Sequence, residues 1–382
     1  MVPKLRFKEF CGEWEEKRLG DIAEIYKGNT LSKSDLRDEG YPCILYGELY
    51  TKYGEIIERV YSKTNRADKN LFIGKNNDVL IPSSGETAID ISTASCLKCD
   101  NVYIGGDLNV IRCNDINGSF LSYNLNHKQK NSIAKFAQGV SVVHIYGDSL
   151  RKLKIKIPSL PEQTKIADFL STVDDKIQNQ QDKITHLENI KNGFMQKIFS
   201  RKIRFKDDGG EEFPEWEEKK LGDICNITTG KLDANAMNKD GKYRFYTCAA
   251  EYYRINSYAF DTEALIISGN GANVGYIHYY KGKFNAYQRT YILDNFFYHI
   301  KYIKTYLDKY LHKRIENEKK AGNTPYIVLS TLYDMKIELP CLEEQMKIAD
   351  FISSFDEKIS TEKETLEHLK QLKKGLLQQM FV

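Results

Sequence analysis

Residues 162–199 (EQTKIADFLSTVDDKIQNQQDKITHLENIKNGFMQKIF) recur as residues 344–381 (EQMKIADFISSFDEKISTEKETLEHLKQLKKGLLQQMF) at a constant offset of 182, with no gap and 17 of 38 positions identical. A shorter echo precedes each copy: Glu13–Ile22 (EWEEKRLGDI) and Glu215–Ile224 (EWEEKKLGDI) differ only at Arg18/Lys220. A long direct repeat is one structural unit used twice. Two copies are too few for a solenoid, so the repeat predicts a pseudo-two-fold molecule, a form suited to a target with two halves.

The repeated segment carries a heptad. Ile166, Leu170, Val173, Ile177, Ile184, Leu187, Phe194 and Ile198 follow alternating steps of four and three, and their counterparts are Ile348, Ile352, Phe355, Ile359, Leu366, Leu369, Leu376 and Met380. Phe169 and Phe351 flank this seam, and the skipped heptad positions are polar in both copies, Gln180/Glu362 and Lys191/Lys373. A 3.5-residue period is that of a coiled coil, and each helix is expected to run about 57 Å. A pseudo-two-fold perpendicular to the helices makes them antiparallel. Pro158, Pro161 and Pro340 stand at or ahead of the helix starts, where proline is tolerated.

The remainder divides accordingly: a first globular region within residues 1–157, a helix with its lead-in over 158–199, a polar linker over 200–214, a second globular region over 215–339 and a second helix over 340–382. Leu5-Arg6-Phe7-Lys8 resembles Ile203-Arg204-Phe205-Lys206 in the linker, so the repeat is cyclic and the two termini are expected to lie close together. Each globular region mixes short apolar strand runs (Val79-Leu80-Ile81; Ala264-Leu265-Ile266-Ile267) with a helical span, near 119–136 and 297–320, which predicts one α+β fold built twice with different loops.

Composition narrows the function. With 41% hydrophobic and 29% charged residues the chain is a folded one. Its net charge of +3 makes any nucleic-acid surface local. No signal-like leader or membrane-length apolar run is seen, and the scattered cysteines suit a reducing cytoplasm. Cys96 and Cys99 form a lone CxxC with Cys113 and His127 downstream. A structural zinc site normally shows two tight ligand pairs, so these read as strand cysteines.

No catalytic constellation is visible. There is no Pro-Pro dipeptide for an adenine N6-methyltransferase motif, no Pro-Asp for a nuclease core, no phosphate loop and no HExxH. The glycines of Gly105-Gly106-Asp107 and of 269–275 lack dinucleotide-binding spacing and read as turns. What rises above background is polar and aromatic loop chemistry interleaved with basic residues: Tyr46 to Lys52, Arg59 to Lys75 (with Lys63, Arg66 and Lys69), Thr229-Gly230-Lys231 and Tyr287-Gln288-Arg289-Thr290. Such side chains read base edges and phosphates. The span Tyr298–Lys320 carries Lys301, Lys304, Lys309, Lys313, Arg314, Lys319 and Lys320 opposite an apolar stripe of Ile300, Ile303, Leu307, Leu311 and Ile315, which is either a solvated basic face or a phosphate-contacting one.

The order of a WEEK(R/K)LGDI-led globular region, an EQxKIADFL-type helix, and then both again resembles the specificity subunit of type I restriction-modification systems over essentially the whole chain. The resemblance implies a non-catalytic reader of double-stranded DNA, with two target-recognition domains joined by two antiparallel coiled-coil helices. Each domain would read one half of a bipartite asymmetric site. The helices would set the spacing and dock two methyltransferase (modification) subunits, with restriction subunits joining in the full complex. S-adenosylmethionine, ATP and magnesium would belong to those partners and no cofactor to this chain. The family's framework places the first-strand loops, the turns after the central strands and the segments after each domain helix on the DNA side. The candidate contacts are Lys27, Asn29, Tyr46, Lys52, Ser83, Ser84, Gln138, Ser141, Lys231, Asn270, Arg289 and Asn323. For Arg289 a structural pairing with Asp294 stands as an alternative. A protein-only coiled-coil scaffold fits the helices equally well but gives no reason for matched folds with unmatched loops, and a fused enzyme lacks its motifs.

Overall fold

The computed structural model describes residues 2–66, 70–318 and 326–382. Two helices dominate it, Leu160–Phe199 and Leu342–Met380, of 40 and 39 residues. The chain forms two compact units, one of residues 1–182 with 364–382 and one of residues 183–363. Each unit therefore contains the start of one long helix and the end of the other. No described helix is long and apolar enough to cross a membrane.

In the first unit the central sheet has the strand order Ala23–Lys27, Leu108–Cys113, Val79–Pro82, Ser95–Leu97, Ile56–Ile57. A second five-stranded sheet contains Tyr41–Ile44, Val102–Ile104 and Phe72–Gly74. A separate apolar cluster that includes Ile44, Leu80, Ile104 and Val110 draws on both sheets. The helix Gly118–His127 is capped by Asn117, whose Oδ1 accepts from Phe120 N at 3.0 Å. Its Phe120, Leu121, Tyr123 and Leu125 fill the main core with Ile166, Ala167 and Leu170 from the start of one long helix and Leu377, Met380 and Phe381 from the end of the other.

The second unit repeats the plan with one six-stranded sheet. Its long strands Phe260–Ser268 and Ile277–Ala286 pair from Phe260↔Phe284 to Ile267↔Ile277. They occupy the place that the first unit gives to several shorter strands, so the expectation of one fold with different loops holds for the framework but not for the strand breaks. The helix Ile300–Glu318 buries Ile303, Leu307, Leu311 and Ile315 as its apolar stripe predicts. It also buries Tyr302 and Tyr306, which meet Phe199 at the end of the first long helix.

The repeated sequence has a common physical cause. Glu162 is buried, accepting from Arg6 Nη2 at 2.7 Å and Trp14 Nε1 at 3.3 Å. Glu344 takes the same bonds from Arg204 (2.8 Å) and Trp216 (3.0 Å). Each following glutamine donates to a proline carbonyl, Gln163 to Pro158 O at 2.9 Å and Gln345 to Pro340 O at 2.7 Å. It also accepts the backbone N–H of Asn117 or of His299 at 3.0 Å. Burying these polar groups is tolerable because each is satisfied. A two-stranded ribbon has the same register in both units, Glu15↔Ile157 and Glu217↔Leu339. The cyclic repeat is equally literal. Leu5 N donates to Gln379 O at 3.0 Å as Ile203 N donates to Lys197 O at 3.2 Å, so the N-terminal segment packs on the end of the second helix.

Within each unit the two long helices run antiparallel. Lys373 pairs with Asp174 at 2.6 Å in the first; Lys183 pairs with Glu362 at 2.6 Å and Lys191 with Asp356 at 2.5 Å in the second. Three of the four polar breaks in the heptad, Glu362, Lys191 and Lys373, thus sit in cross-helix ion pairs, which hold the register. The seam itself is buried at Ile166, Leu170, Val173, Ile184, Ile348, Ile352, Ile359 and Leu366, and half-buried at Ile177, Leu187, Phe194, Phe355, Leu369 and Leu376. Phe169 is 37% exposed and packs on Phe7 at 5.7 Å, as Phe351 packs on Phe205 at 5.7 Å, so both face the linker-type segment.

Candidate nucleic-acid interface

In the first unit, loops gather where the first strand ends. Lys27 is the exposed last residue of Ala23–Lys27, and Gly28 N then donates to Leu108 O at 2.8 Å. A Cβ on Gly28 would lie 2.1 Å from Gly105 O, and one on Gly230 2.1 Å from Ala286 O, so both first strands pass another backbone at a distance only glycine allows. Asn29 bridges to Gly105 and donates through Nδ2 to Asn70 O. Ser83 N donates to Asp107 O at 2.7 Å, Ile145 N donates to Ser83 O at 3.0 Å, and Ser84 pairs with His144. Gln138 closes a small loop on His144 and leaves Val140 and Ser141 exposed. Tyr46 and Lys52 line a cavity of about 810 Å³ that also touches Thr30 and Asp107.

The second unit gathers the corresponding loops. Gly230 N donates to Thr290 O at 3.1 Å and places Lys231 in solvent. Leu232 bridges to Tyr287, and Gln288 Nε2 donates to Asp233 Oδ1 at 3.0 Å. Gly269 N donates to Arg289 O at 2.9 Å, Ile327 N donates to Gly269 O at 2.8 Å, and Asn270 bridges to Tyr326. Arg289 is exposed at the mouth of a cavity of about 290 Å³ lined by Gly269, Gln288, Tyr291 and Ile327. Its side chain makes no hydrogen bond or ion pair among the described residues. Asp294 instead lies across strands from Asn226 and Ala264 and accepts from Asn295 Nδ2 at 3.3 Å.

The residues singled out from the sequence are thus brought together within their own domains, with four exceptions. Ser83 and Ser84 are only 6% and 7% exposed. Their backbone bonds pull the turn inward, so they shape the loop end rather than present hydroxyls. Lys52 is committed to the buried Glu48 at 2.7 Å and to the Ser62 hydroxyl at 3.3 Å, which neutralises the cation expected there. Asn323 lies outside the described residues, as do Lys69, Lys319 and Lys320. On the basic helix Lys304 pairs with Asp308 at 2.7 Å and Arg314 with Glu318 at 2.9 Å, so part of its charge is matched internally.

Cys96 and Cys113 lie in strands as expected, whereas Cys99 falls in the bend that follows Ser95–Leu97. Burial pushes the Cys96 thiol up to about 11 and Cys113 higher still. No group of three or more potential ligands among the described residues could hold a metal ion. Lysines, amides, an arginine and a carboxylate at a loop end can read patterns of donors and acceptors. Asp107 reads from the sequence only as part of the Gly105-Gly106-Asp107 turn, although its offset from Arg289, 182, equals that of the helix repeat.

The family model for the type I restriction modification DNA specificity domain matches residues 12–189 and 214–371. The chain belongs to this family. The matched segments take in both globular regions and most of both long helices, so both halves are specificity domains of one type. The EcoDI specificity subunit of Escherichia coli is 38% identical over 164 residues, covering 43% of this chain and 36% of that protein. The MjaVIII specificity subunit of Methanocaldococcus jannaschii is 26% identical across 97% of this chain and 94% of its own length. In fold, the S subunit of a type I restriction-modification system from M. genitalium superimposes with a TM-score of 0.68 over 100% of this chain and 99% of that one, at 20% identity.

Proposed function

We propose that the chain is the DNA-reading subunit of a type I restriction-modification complex and performs no chemistry itself. The first globular domain reads one half of a bipartite site and the second reads the other. The carrying observation is that one framework, held by the same Trp–Glu–Arg and Gln–Pro contacts, ends in unlike loop residues in its two copies. Unlike loops on like frames suit an asymmetric target. Replacing residues 215–339 with the matching region of a relative should change one half-site in the methylome of a host carrying the complex. A change in both half-sites, or in neither, overturns modular reading.

The helix pair sets the gap between half-sites and docks two copies of a modification subunit. Asp168/Asp350, Lys176/Lys358, His186/His368 and Gln196/Gln378 are identical and exposed in both repeats, so the helix seam does not dictate their identity. Like partners on like surfaces do. Inserting four residues near Gln180 adds about 6 Å and should lengthen the gap while leaving the half-site sequences alone. S-adenosylmethionine, ATP and magnesium act on the partner subunits, with restriction subunits completing the assembly. Purified chain given S-adenosylmethionine and DNA should transfer no methyl group, and transfer by a contaminant-free sample would refute the non-catalytic reading.

A further inference from the structure

The loop ends of the two domains correspond through backbone hydrogen bonds alone. Gly28→Leu108, Ser83→Asp107 and Ile145→Ser83 in the first match Gly230→Thr290, Gly269→Arg289 and Ile327→Gly269 in the second. These three bonds put Asp107 at the framework position of Arg289, so one position carries opposite charges in the two halves. Neither side chain is hydrogen-bonded or ion-paired among the described residues. Asp107 has a φ of 58°, in the left-handed region that Asp and Asn enter more readily than other non-glycine residues. It sits on the wall of the cavity lined by Tyr46 and Tyr50, which leaves space in front of it.

A carboxylate facing a duplex has few productive uses. It is repelled by phosphates and accepts only from base amino groups, cytosine N4 foremost, whereas a guanidinium at the same place donates to guanine O6 and N7. We propose that this framework position is a specificity switch: Asp107 accepts a hydrogen bond from a cytosine amino group in the half-site of the first domain, and Arg289 donates to a guanine in the other. The assignment rests on the reading of the chain as a two-domain DNA reader and adds the chemistry of one position.

The test uses the full chain with its modification subunits and reads the host methylome, with binding to randomised duplexes as a second measurement. Asp107→Gly and Asp107→Asn both suit the backbone at φ 58°. Asp107→Gly should turn one cytosine of one half-site degenerate, with discrimination falling about tenfold or more, and leave the other half-site and the salt dependence unchanged. Asp107→Asn should weaken the same position less, because its amide retains an acceptor. An unchanged motif, with affinity unaltered or raised equally for all duplexes, overturns the proposal, because the carboxylate then only faces the backbone. If both variants lose methylation, an unchanged melting temperature supports a contact needed for binding, while a lowered one with an unchanged residual motif overturns it. Replacing residues 13–157 with a relative's domain serves as the control. If that changes a half-site and Asp107→Gly does not, the assignment fails and the two-domain reading stands; if it changes neither half-site, the reading fails and the assignment with it.

Discussion

The first domain encloses a second apolar cluster with two five-stranded sheets, where the second domain uses a single sheet with two long strands to enclose a smaller one. The parts facing the long helices hardly differ. The ribbon register, the Trp–Glu–Arg contacts and the Gln–Pro bonds agree to within a few tenths of an ångström. Divergence therefore grows with distance from the helices. A side chain packed on a repeated helix has its volume and polarity constrained by that neighbour, whereas a loop away from it answers mainly to the backbone bonds that position it.

The sharpest way to break this equivalence is at the buried glutamates. Glu162→Ala and Glu344→Ala should each destabilise their own unit by about 3–5 kcal/mol, because an arginine and a tryptophan N–H lose their buried partner. Calorimetry should show the two losses equal within about 1 kcal/mol, and a mild effect from either one breaks the equivalence. The Arg6 segment is tied to the second helix by Leu5 N→Gln379 O, so Glu162→Ala should also loosen that segment and raise its cleavage by protease.

Lys373 and Lys191 share a repeat position but not an environment. The two lysine side chains are similarly covered, 15% exposed at Lys373 and 18% at Lys191, but Lys373 bridges two half-buried carboxylates, Asp174 at 2.6 Å and Glu55 at 3.0 Å, while among the described residues Lys191 pairs with one exposed carboxylate, Asp356. Burial pulls the Lys373 amine down, and the two carboxylates more than reverse it, holding it above the usual lysine range. Lys373→Met should cost about 3 kcal/mol and Lys191→Met less than about 1 kcal/mol by thermal denaturation. Burial holds the Asp174 carboxyl above the usual range, more so once the cation is removed. A carboxyl raised in the folded state binds its proton there first, so the folded form gains stability as pH falls through that value. The Lys373→Met defect should thus shrink as pH is lowered from neutrality, and a defect that grows on acidification would place the lost stability elsewhere.

The helices were legible because a 3.5-residue period written twice has few alternatives. The linker-type segment that carries Arg6 and Arg204 was legible from a four-residue echo. Met195, Phe199, Leu377 and Phe381 were not placed in the core, although they are 8% exposed or less, because they serve the globular cores and lie off the heptad that marks the partner helix. The inward turn of Ser83 and Ser84 and the Glu48–Lys52 pair were invisible, since serine and lysine give no periodic signal of burial. The correspondence of Asp107 with Arg289 was obscured by changing offsets between the domains, 202 at Trp14/Trp216 and 186 at Ser83/Gly269 before 182 is reached.

The smallest expected effect is also the one that most sharpens the comparison of loop ends. Arg289 is exposed and unpaired among the described residues, so Arg289→Ala should leave thermal stability within about 0.5 kcal/mol of the parent. A larger loss would return Arg289 to a structural role. If its guanidinium is bidentate to guanine, its removal should cost about 1–3 kcal/mol at one base pair and relax that position alone. If it touches only phosphate, binding should weaken evenly across sequences and the salt slope should fall by about one unit. The same pair of measurements on Asp107→Gly has no phosphate arm, because removing a carboxylate cannot release a counterion from the duplex. Relaxation of one position in each half-site, with the salt slope unchanged in both variants, is the outcome expected if one framework position reads donors in one domain and acceptors in the other.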